Sequence, residues 1–361
     1  MRMGSAIGHT AGAAPGTNGI RLRRIVIDHV TMPRNMLLAS SRRVLTGALL
    51  AAVTAGCTGT RPTTPRVVPT APAVRAPGDI RVRVGHRVVS VAFEDYVAGT
   101  AISEVLPVDE APAVVDRVYD VQTIVARTYA LAHLGRHRSE GFDLCDTTHC
   151  QVYEPARLGT SRFAGDVRRA VSRTSGQVLL YAGRPIDALF SADCGGHSAT
   201  PEQVWGSVAF PYLRAAPDEF PSLTHRSWRV QISRDHMRTA LNADPRTEIG
   251  RALTSLKVQG PDTSGRVSGV EIIGDRRVVV RSDEFRQIVN RVLGPRGIQS
   301  TRFTMRVDAG AYVLEGTGFG HGVGLCQIGA IARARRQTPA EEILSTYFPG
   351  ARVAKLGGRI P

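Results

Sequence analysis

Apolar and charged residues alternate along Ile80-Arg-Val-Arg-Val84, and apolar residues return from Val88 to Ala92 after Gly85-His86. Period-two patterning on either side of a glycine turn predicts a hairpin with one buried face. The period then changes. Phe93, Val97 and Ala101 recur at four-residue steps, which predicts a short helix stopped by Pro107. Val114, Val118, Val121, Val125 and Ala132 trace a longer helical face that ends at Gly135. Beyond Gln177 the pattern is β again, with Val178 to Tyr181, a turn at Ala182-Gly183, and Ile186 to Ser191. Further strands are expected at Trp228 to Ile232, Thr254 to Val258, Val270 to Ile273 and Val278 to Val280. Ser282 to Leu293 reads as a helix with Ser282 as its N-cap. Helices and strands are partly segregated and hairpins recur, so the expected class is mixed α+β rather than a doubly wound sheet.

The first 57 residues carry an address rather than a fold. Arg42-Arg43 precedes an uncharged run from Val44 to Ala55, which ends in Thr54-Ala-Gly-Cys57. Two positive charges, a short apolar core and small residues before a cleavage point describe a secretory signal. The run is too short to span a bilayer comfortably. Cys57 after Ala55-Gly56 marks a lipoprotein processing site, so the expectation is an exported protein anchored to a membrane through lipid on Cys57. It would face the periplasm or cell wall. Ser41-Arg-Arg-Val-Leu45 permits a weaker twin-arginine export reading. Residues before Met36 lack signal character, which makes Met36 a candidate start. Residues 58–78 carry prolines at 62, 65, 69, 72 and 77 and read as an extended tether. Residues 79–361 then form the expected single folded domain with a substrate groove.

Charge narrows the partners. The chain has 46 Lys plus Arg against 31 Asp plus Glu, a net charge of +15. Removing the residues before Cys57 leaves roughly +9 by formal side-chain charge. A basic surface suits nucleic acid, anionic lipid or an acidic polysaccharide. An exported chain with no nucleic-acid-binding module disfavours the first. Arginine used simply for solubility explains the excess equally well.

Several polar residues stand where chemistry is possible. Glu104 continues the Phe93-Val97-Ala101 stripe and is followed by Val105-Leu106, so a helix turns it toward apolar surroundings. There its charged form is penalised and its pKa rises, which makes a usable general acid. On spacing alone, a Glu reaching water or an Arg partner at a helix end is the commoner outcome. Arg127 and Tyr129 are the next polar residues on the long helix, with a salt bridge as the bland reading of Arg127. Gln151 and Tyr153 alternate and would share one face of a strand, suiting sugar recognition or an ordinary sheet face. Ser191 before Gly195-Gly196 carries the same ambiguity. Gly318 to Ala330 holds five glycines, at 318, 320, 322, 324 and 329. Such a run reads as a loop that wraps something, with His321 and Gln327 as its polar tips. Among so many glycines, His321 is not expected to be a core residue.

Three segments in order, Asp95-Tyr-Val-Ala-Gly-Thr-Ala-Ile-Ser-Glu-Val-Leu-Pro107, Asp143-Leu-Cys-Asp-Thr-Thr-His-Cys-Gln-Val-Tyr153 and the glycine run, resemble the SpoIID/LytB family. The family takes its name from stage II sporulation protein D and an amidase enhancer. Ala188-Leu-Phe-Ser-Ala-Asp-Cys-Gly-Gly196, Val204-Trp-Gly206 with Pro211-Tyr-Leu213, and Ile343-Leu-Ser-Thr-Tyr-Phe-Pro-Gly350 extend the resemblance over 79–356. Val105 stands where Met commonly follows the Glu, and Asp193 where a small hydroxyl residue is usual. The resemblance implies a lytic transglycosylase acting on peptide-stripped peptidoglycan strands, with Glu104 in the position of the catalytic Glu. Arg127, Tyr129, Gln151, Tyr153, Ser191, His321 and Gln327 become candidate substrate contacts. The alternative it implies is a non-catalytic amidase enhancer, a wall-binding module with a cell-wall amidase as partner. A zinc hydrolase using His149 and His321 is the poorest reading, because the spacing lacks the usual metalloprotease helix pattern.

Outside Cys57 four cysteines remain: Cys145, Cys150, Cys194 and Cys326. In an oxidising compartment they would form two disulfides, Cys145 with Cys150 and Cys194 with Cys326. Some members of the resembled family instead carry zinc at the 145–150 loop. That implies a structural site built from Cys145, Cys150 and one or both of His137 and His149, since tetrahedral zinc takes four ligands. Both alternatives stand at this point.

Overall fold

The computed structural model describes residues 75–356, except 106, 108 and 219–224. The leader, Cys57 and residues 58–74 of the tether lie outside the described residues. The expected hairpin forms: β1 (Asp79–Val84) pairs antiparallel with β2 (Arg87–Ala92), turning at Gly85 with φ of 58°. Ile80 and Val82 point inward while Asp79 and Arg81 are exposed, as the alternation requires. α1 (Phe93–Glu104) follows without a break, and α2 (Pro112–Ala132) starts with Pro112 just inside its N-terminus, where the missing N–H is not needed.

α2 is buried on more than the predicted stripe: Gln122, Thr123, Arg127 and Thr128 are covered along with Val118, Val121 and Val125. Its polar groups are satisfied close to home. Thr123 Oγ1 donates to the Tyr119 carbonyl at 2.8 Å and Thr128 Oγ1 to that of Ile124 at 2.6 Å. Thr128 Oγ1 also accepts the N–H of Leu179 at 2.9 Å, tying a neighbouring strand to the helix. Because of this internal pairing a helix with polar residues can run through the middle of a core.

β3 (Leu144–Cys145) adds to β1 in parallel; α3 (Arg157–Thr160) and α4 (Ala164–Arg173) follow, α4 lying against α2. β4 (Gln177–Tyr181) turns through Ala182-Gly183 into β5 (Arg184–Pro185). The strand expected over Ile186 to Ser191 is not continuous. The Asp187 carboxylate is drawn to His133 Nε2 at 3.0 Å and to the Tyr212 hydroxyl at 3.0 Å, which takes the chain out of the β4 ladder. β6 (Phe190–Ser191) joins a different sheet, and α5 (Pro201–Trp205) begins at a Thr200–Gln203 capping box.

The chain then builds a second core. β7 (Ser227–Ser233), α6 (Arg234–Asn242), β8 (Leu253–Val258), β9 (Gly269–Gly274), β10 (Arg277–Arg281), α7 (Ser282–Leu293), β11 (Phe303–Asp308) and β12 (Ala311–Thr317) form two antiparallel sheets, β10-β9-β8 and β11-β12-β7, with both helices against them. Trp228, Ile272, Phe285 and Leu314 centre a cluster drawn wholly from residues 228–314. The four strands expected in this region all form. Ser282 is the first residue of α7 rather than its cap, because β10 runs straight into the helix and leaves Arg281 at the N-cap.

β13 (Leu325–Cys326) returns to pair in parallel with β6, and α8 (Gln327–Arg335), α9 (Ala340–Tyr347) and β14 (Arg352–Lys355) complete the first lobe. β14 closes on β4. The architecture is mixed α+β, as its sequence pattern requires. The glycine run does not wrap another surface; other segments wrap it. A Cβ at Gly324, where φ is 72°, would lie 2.1 Å from the Leu189 carbonyl oxygen, so only glycine lets β6 close over the run. No helix among the described residues is long and apolar enough to cross a membrane.

Candidate active site

Glu104 is the last residue of α1 and is only 4% exposed. Its Oε1 accepts the N–H of Val152 at 2.6 Å. Burial pushes the carboxyl up to about 8; the Val152 N–H opposes the shift, the Glu154 charge adds to it and Arg157 pulls it back. At neutral pH the group is therefore mainly protonated, the state a general acid needs. The helix end is held as well. The Glu104 carbonyl accepts from Gln327 Nε2 at 3.2 Å, and the same nitrogen reaches Gln122 Oε1 at 3.2 Å. The start of α8 thus meets the end of α1, joining residues 223 positions apart.

The segment after Cys150 lies across α1. Glu154 donates its N–H to Ser103 Oγ at 3.0 Å, and Tyr153 stacks on Tyr96 with ring centroids 5.1 Å apart. Gln151 Oε1 accepts from the Tyr96 hydroxyl at 3.3 Å, while Gln151 Nε2 is buried with no hydrogen-bond partner among the described residues. Gln151 and Tyr153 do not belong to a strand: the Tyr153 N–H goes back to the Asp146 carbonyl, and the Val152 and Glu154 N–H groups on either side of it go to α1 side chains, not to a ladder. Tyr153 fits because position 99 is glycine. A Cβ there would sit 2.4 Å from the Tyr153 ring. Gly99→Ala is expected to displace the ring, lower stability by about 1–3 kcal/mol and loosen the Val152 contact to Glu104. Thermal unfolding of the variant checks the first effect, and an unchanged melting temperature would refute it.

Two residues expected in the groove are committed elsewhere. Arg127 is fully buried and forms a two-pronged pair with Glu94, Nε to Oε1 at 2.9 Å and Nη2 to Oε2 at 2.7 Å. Its Nη1 donates to the Gln177 carbonyl at 3.1 Å. Arg127 therefore ties α1 and β4 to α2. The Tyr129 hydroxyl accepts from Arg136 Nη1 at 2.8 Å, and that nitrogen also donates to the His149 carbonyl at 3.0 Å. Tyr129 thereby braces the 145–150 loop.

His321 is a core residue after all, 7% exposed and tilted against Trp205 at 5.1 Å. The glycines around it admit neighbours instead of leaving a void. Burial pushes its imidazole down to about 3, so it is neutral in ordinary buffers. Nδ1 accepts the N–H of Val323 at 3.0 Å, which leaves the proton on Nε2. Ser191 lies beside Cys326 in the β6–β13 ladder, with its buried Oγ unpartnered among the described residues. Of the candidate residues, the structure brings Gln151, Tyr153 and Gln327 to Glu104 or the segment touching it.

Neither disulfide open in the sequence is formed; all four cysteines are free and buried. Instead His137, Cys145, His149 and Cys150 converge, with one donor atom from each within 4.8 Å of the other three. Cys150 Sγ lies 3.4 Å from His137 Nε2 and 3.8 Å from His149 Nδ1, and Cys145 Sγ is 3.7 Å from His149 Nδ1. Tetrahedral zinc with thiolate and imidazole ligands has donor-to-donor edges of about 3.3–3.8 Å. The donor set fits such an ion. His137 Nδ1 lies 2.5 Å from Glu140 Oε1, the carboxylate partner that orients an imidazole and frees its Nε2 for a metal.

Sequence reasoning missed Val152, Glu94, Gln122, Arg136 and Glu140. Only Glu140 had a readable signal, three residues after His137 in a tight turn. A backbone N–H such as that of Val152 leaves no mark in a sequence.

The stage II sporulation protein (SpoIID) family matches residues 85–181, the stretch that holds Glu104, Val152 and the His/Cys cluster. The chain belongs to the SpoIID family. A domain of unknown function (DUF8618) matches residues 222–324, which includes the second core of this SpoIID protein. Relatives include an uncharacterized protein of Brachyspira hyodysenteriae, 31% identical over 264 residues that cover 72% of this chain and 65% of the relative. The amidase enhancer of Bacillus subtilis is 27% identical over 274 residues, covering 63% of this chain and 37% of that protein. Stage II sporulation protein D of Bacillus amyloliquefaciens is 24% identical, covering 75% and 76%. The match thus spans less than two thirds of the length of the first two.

Proposed function

We propose that this SpoIID-family protein is a lytic transglycosylase that cleaves the MurNAc–GlcNAc bond of peptide-stripped peptidoglycan strands. The observation that carries the reading is the buried, protonated Glu104 held by a single Val152 N–H. In this mechanism Glu104 protonates the oxygen linking MurNAc C1 to the next GlcNAc. The oxocarbenium-like centre is stabilised by the neighbouring acetamido group. Glu104, now a carboxylate, takes the proton of the C6 hydroxyl, which closes a 1,6-anhydro ring and restores the acid. Ordinary glycoside hydrolases typically use a pair of carboxylates. Glu154, whose charge acts on Glu104, is paired with Arg157 at 2.5 Å. One residue serving both steps matches that arrangement. The excess of arginine suits strands that display lactyl carboxylates.

In the same reading His137, Cys145, His149 and Cys150 hold a structural zinc ion. With four protein ligands it has no open position for substrate. The ion would fix the turn that leads through Gln151 to the Val152 N–H. The protein would be exported and anchored through Cys57; a mature N-terminus other than a lipidated Cys57 in whole-protein mass spectrometry would refute the anchor.

Mass spectrometry of glycan products tests the activity. Wild type should release strands ending in 1,6-anhydro-MurNAc, and Glu104→Gln should not. Reducing MurNAc ends would mean hydrolysis, with Glu154 as the first residue to test as base. The name of the Bacillus subtilis relative favours a second reading, a wall-binding activator of an amidase. Amidase stimulation by Glu104→Gln at the wild-type level, with no cleavage by either protein, would decide for it.

A further inference from the structure

Where the chain passes into its second lobe and where it returns, four more buried side chains meet: Asp193, Cys194, His225 and Cys326. One donor atom from each lies within 4.8 Å of the other three. None of them touches Glu104 or the His137 cluster in the contacts described above. Three separate stretches of sequence bring them together, so local chain geometry does not explain the cluster. Gly195 and Gly196, with φ of 74° and 98°, fold the Asp193–Cys194 corner tightly against Thr317 and set Cys194 beside Cys326.

The group is organised as a ligand set is. Asp193 Oδ1 accepts the Gly195 N–H at 2.8 Å and faces His225 Nδ1 at 2.6 Å, while Oδ2 accepts the Arg226 N–H at 2.9 Å. The carboxylate therefore places the imidazole proton on Nδ1 and the lone pair on Nε2. That Nε2 is buried, on a side chain 3% exposed, and has no hydrogen-bond partner among the described residues. A buried nitrogen left without a partner is destabilising, so a partner is expected there. Cys326 Sγ, at the start of α8, accepts N–H groups from Cys194 at 3.3 Å and Gly329 at 3.4 Å. Cys194 Sγ in turn lies 3.6 Å from Asp218 Oδ2.

We propose that Cys194, Cys326 and His225 hold a second metal ion of the zinc type at this junction, with the Asp193 carboxylate orienting the imidazole. Two thiolates and an imidazole are the donors such an ion selects. Binding releases the two thiol protons to solvent and involves no redox change. A disulfide between Cys194 and Cys326 would use the sulfurs alone and leave His225 Nε2 unsatisfied. The ion would pin the β6–β13 pair to the first residues of the second lobe, fixing how the glycine run threads between the two cores.

Elemental analysis of the full chain, purified without oxygen or chelator, tests this. Cys326→Ser should bind one zinc fewer per chain than wild type. So should His225→Gln, which keeps both sulfurs and the local volume and guards against a misfolded serine variant. Cys150→Ser should lose a different ion, so the outcome does not depend on the first site being a zinc site. Unchanged zinc content in both His225→Gln and Cys326→Ser would overturn the proposal. So would a peptide map of unreduced wild type in which Cys194 and Cys326 are covalently joined.

Discussion

Glu104→Gln is expected to lower the rate of strand cleavage by about 100- to 10,000-fold, the range typical for a positioned general acid. The same substitution should make the folded protein more stable at high pH. Burial holds the Glu104 carboxyl at about 8 in the folded state, far above the ordinary carboxyl range. Between the unfolded and folded values the native state binds the extra proton, so wild-type stability falls as pH rises through that window. Above pH 8 the wild type carries the whole penalty of a buried carboxylate. Glutamine never ionises, and its side-chain oxygen still accepts the Val152 N–H. The variant should therefore gain on the order of a few kcal/mol over wild type above pH 8, and little near pH 4. Wild-type kcat/KM should be flat below about pH 8 and fall about tenfold per pH unit above it, as the acid form is lost. Urea denaturation of both proteins at pH 5 and pH 9, beside a pH–rate profile, checks every part. Wild-type cleavage by the variant would remove Glu104 from the chemistry. Equal stability differences at both pH values would contradict its burial as an acid.

Removing a ligand of the first cluster is the second large effect. Cys150→Ser should abolish zinc binding there and lower the melting temperature by on the order of 10 °C, because metal-binding energy is folding energy. The loss should reach activity as well, since Cys150 lies two residues before the N–H that holds Glu104. Glu140→Gln is the milder companion. It keeps every ligand but weakens the partner of His137, so zinc affinity should fall about 10- to 100-fold with little change in fold. Competition with a chromophoric chelator measures the affinity, and calorimetry measures the melting shift. A wild-type protein that holds no metal at this cluster, with Cys145 and Cys150 oxidised to each other, would end the zinc assignment.

Much of this protein is legible in one dimension because its signals are local. The β1–β2 hairpin follows from the alternation over Ile80 to Ala92, and α1 and α2 from four-residue apolar steps. Glu104 stands on the α1 stripe and the four donors of the first cluster lie within 14 residues, but it is the family resemblance that singles both out. What depends on distant chain was not legible. Arg127 read as a groove residue because its partner, Glu94, lies 33 positions away on another helix. His321 read as an exposed loop tip because its neighbours, Trp205 above all, come from another part of the chain. The strand expected over Ile186 to Ser191 failed at Asp187, whose partners His133 and Tyr212 flank it in space and not in sequence. By itself the sequence determined the α+β class, the elements with clear periodicity and the place of Glu104 on the apolar side of α1. Only the tertiary structure decided which polar side chains are already satisfied, since a buried charge is defined by the partner that folding brings to it.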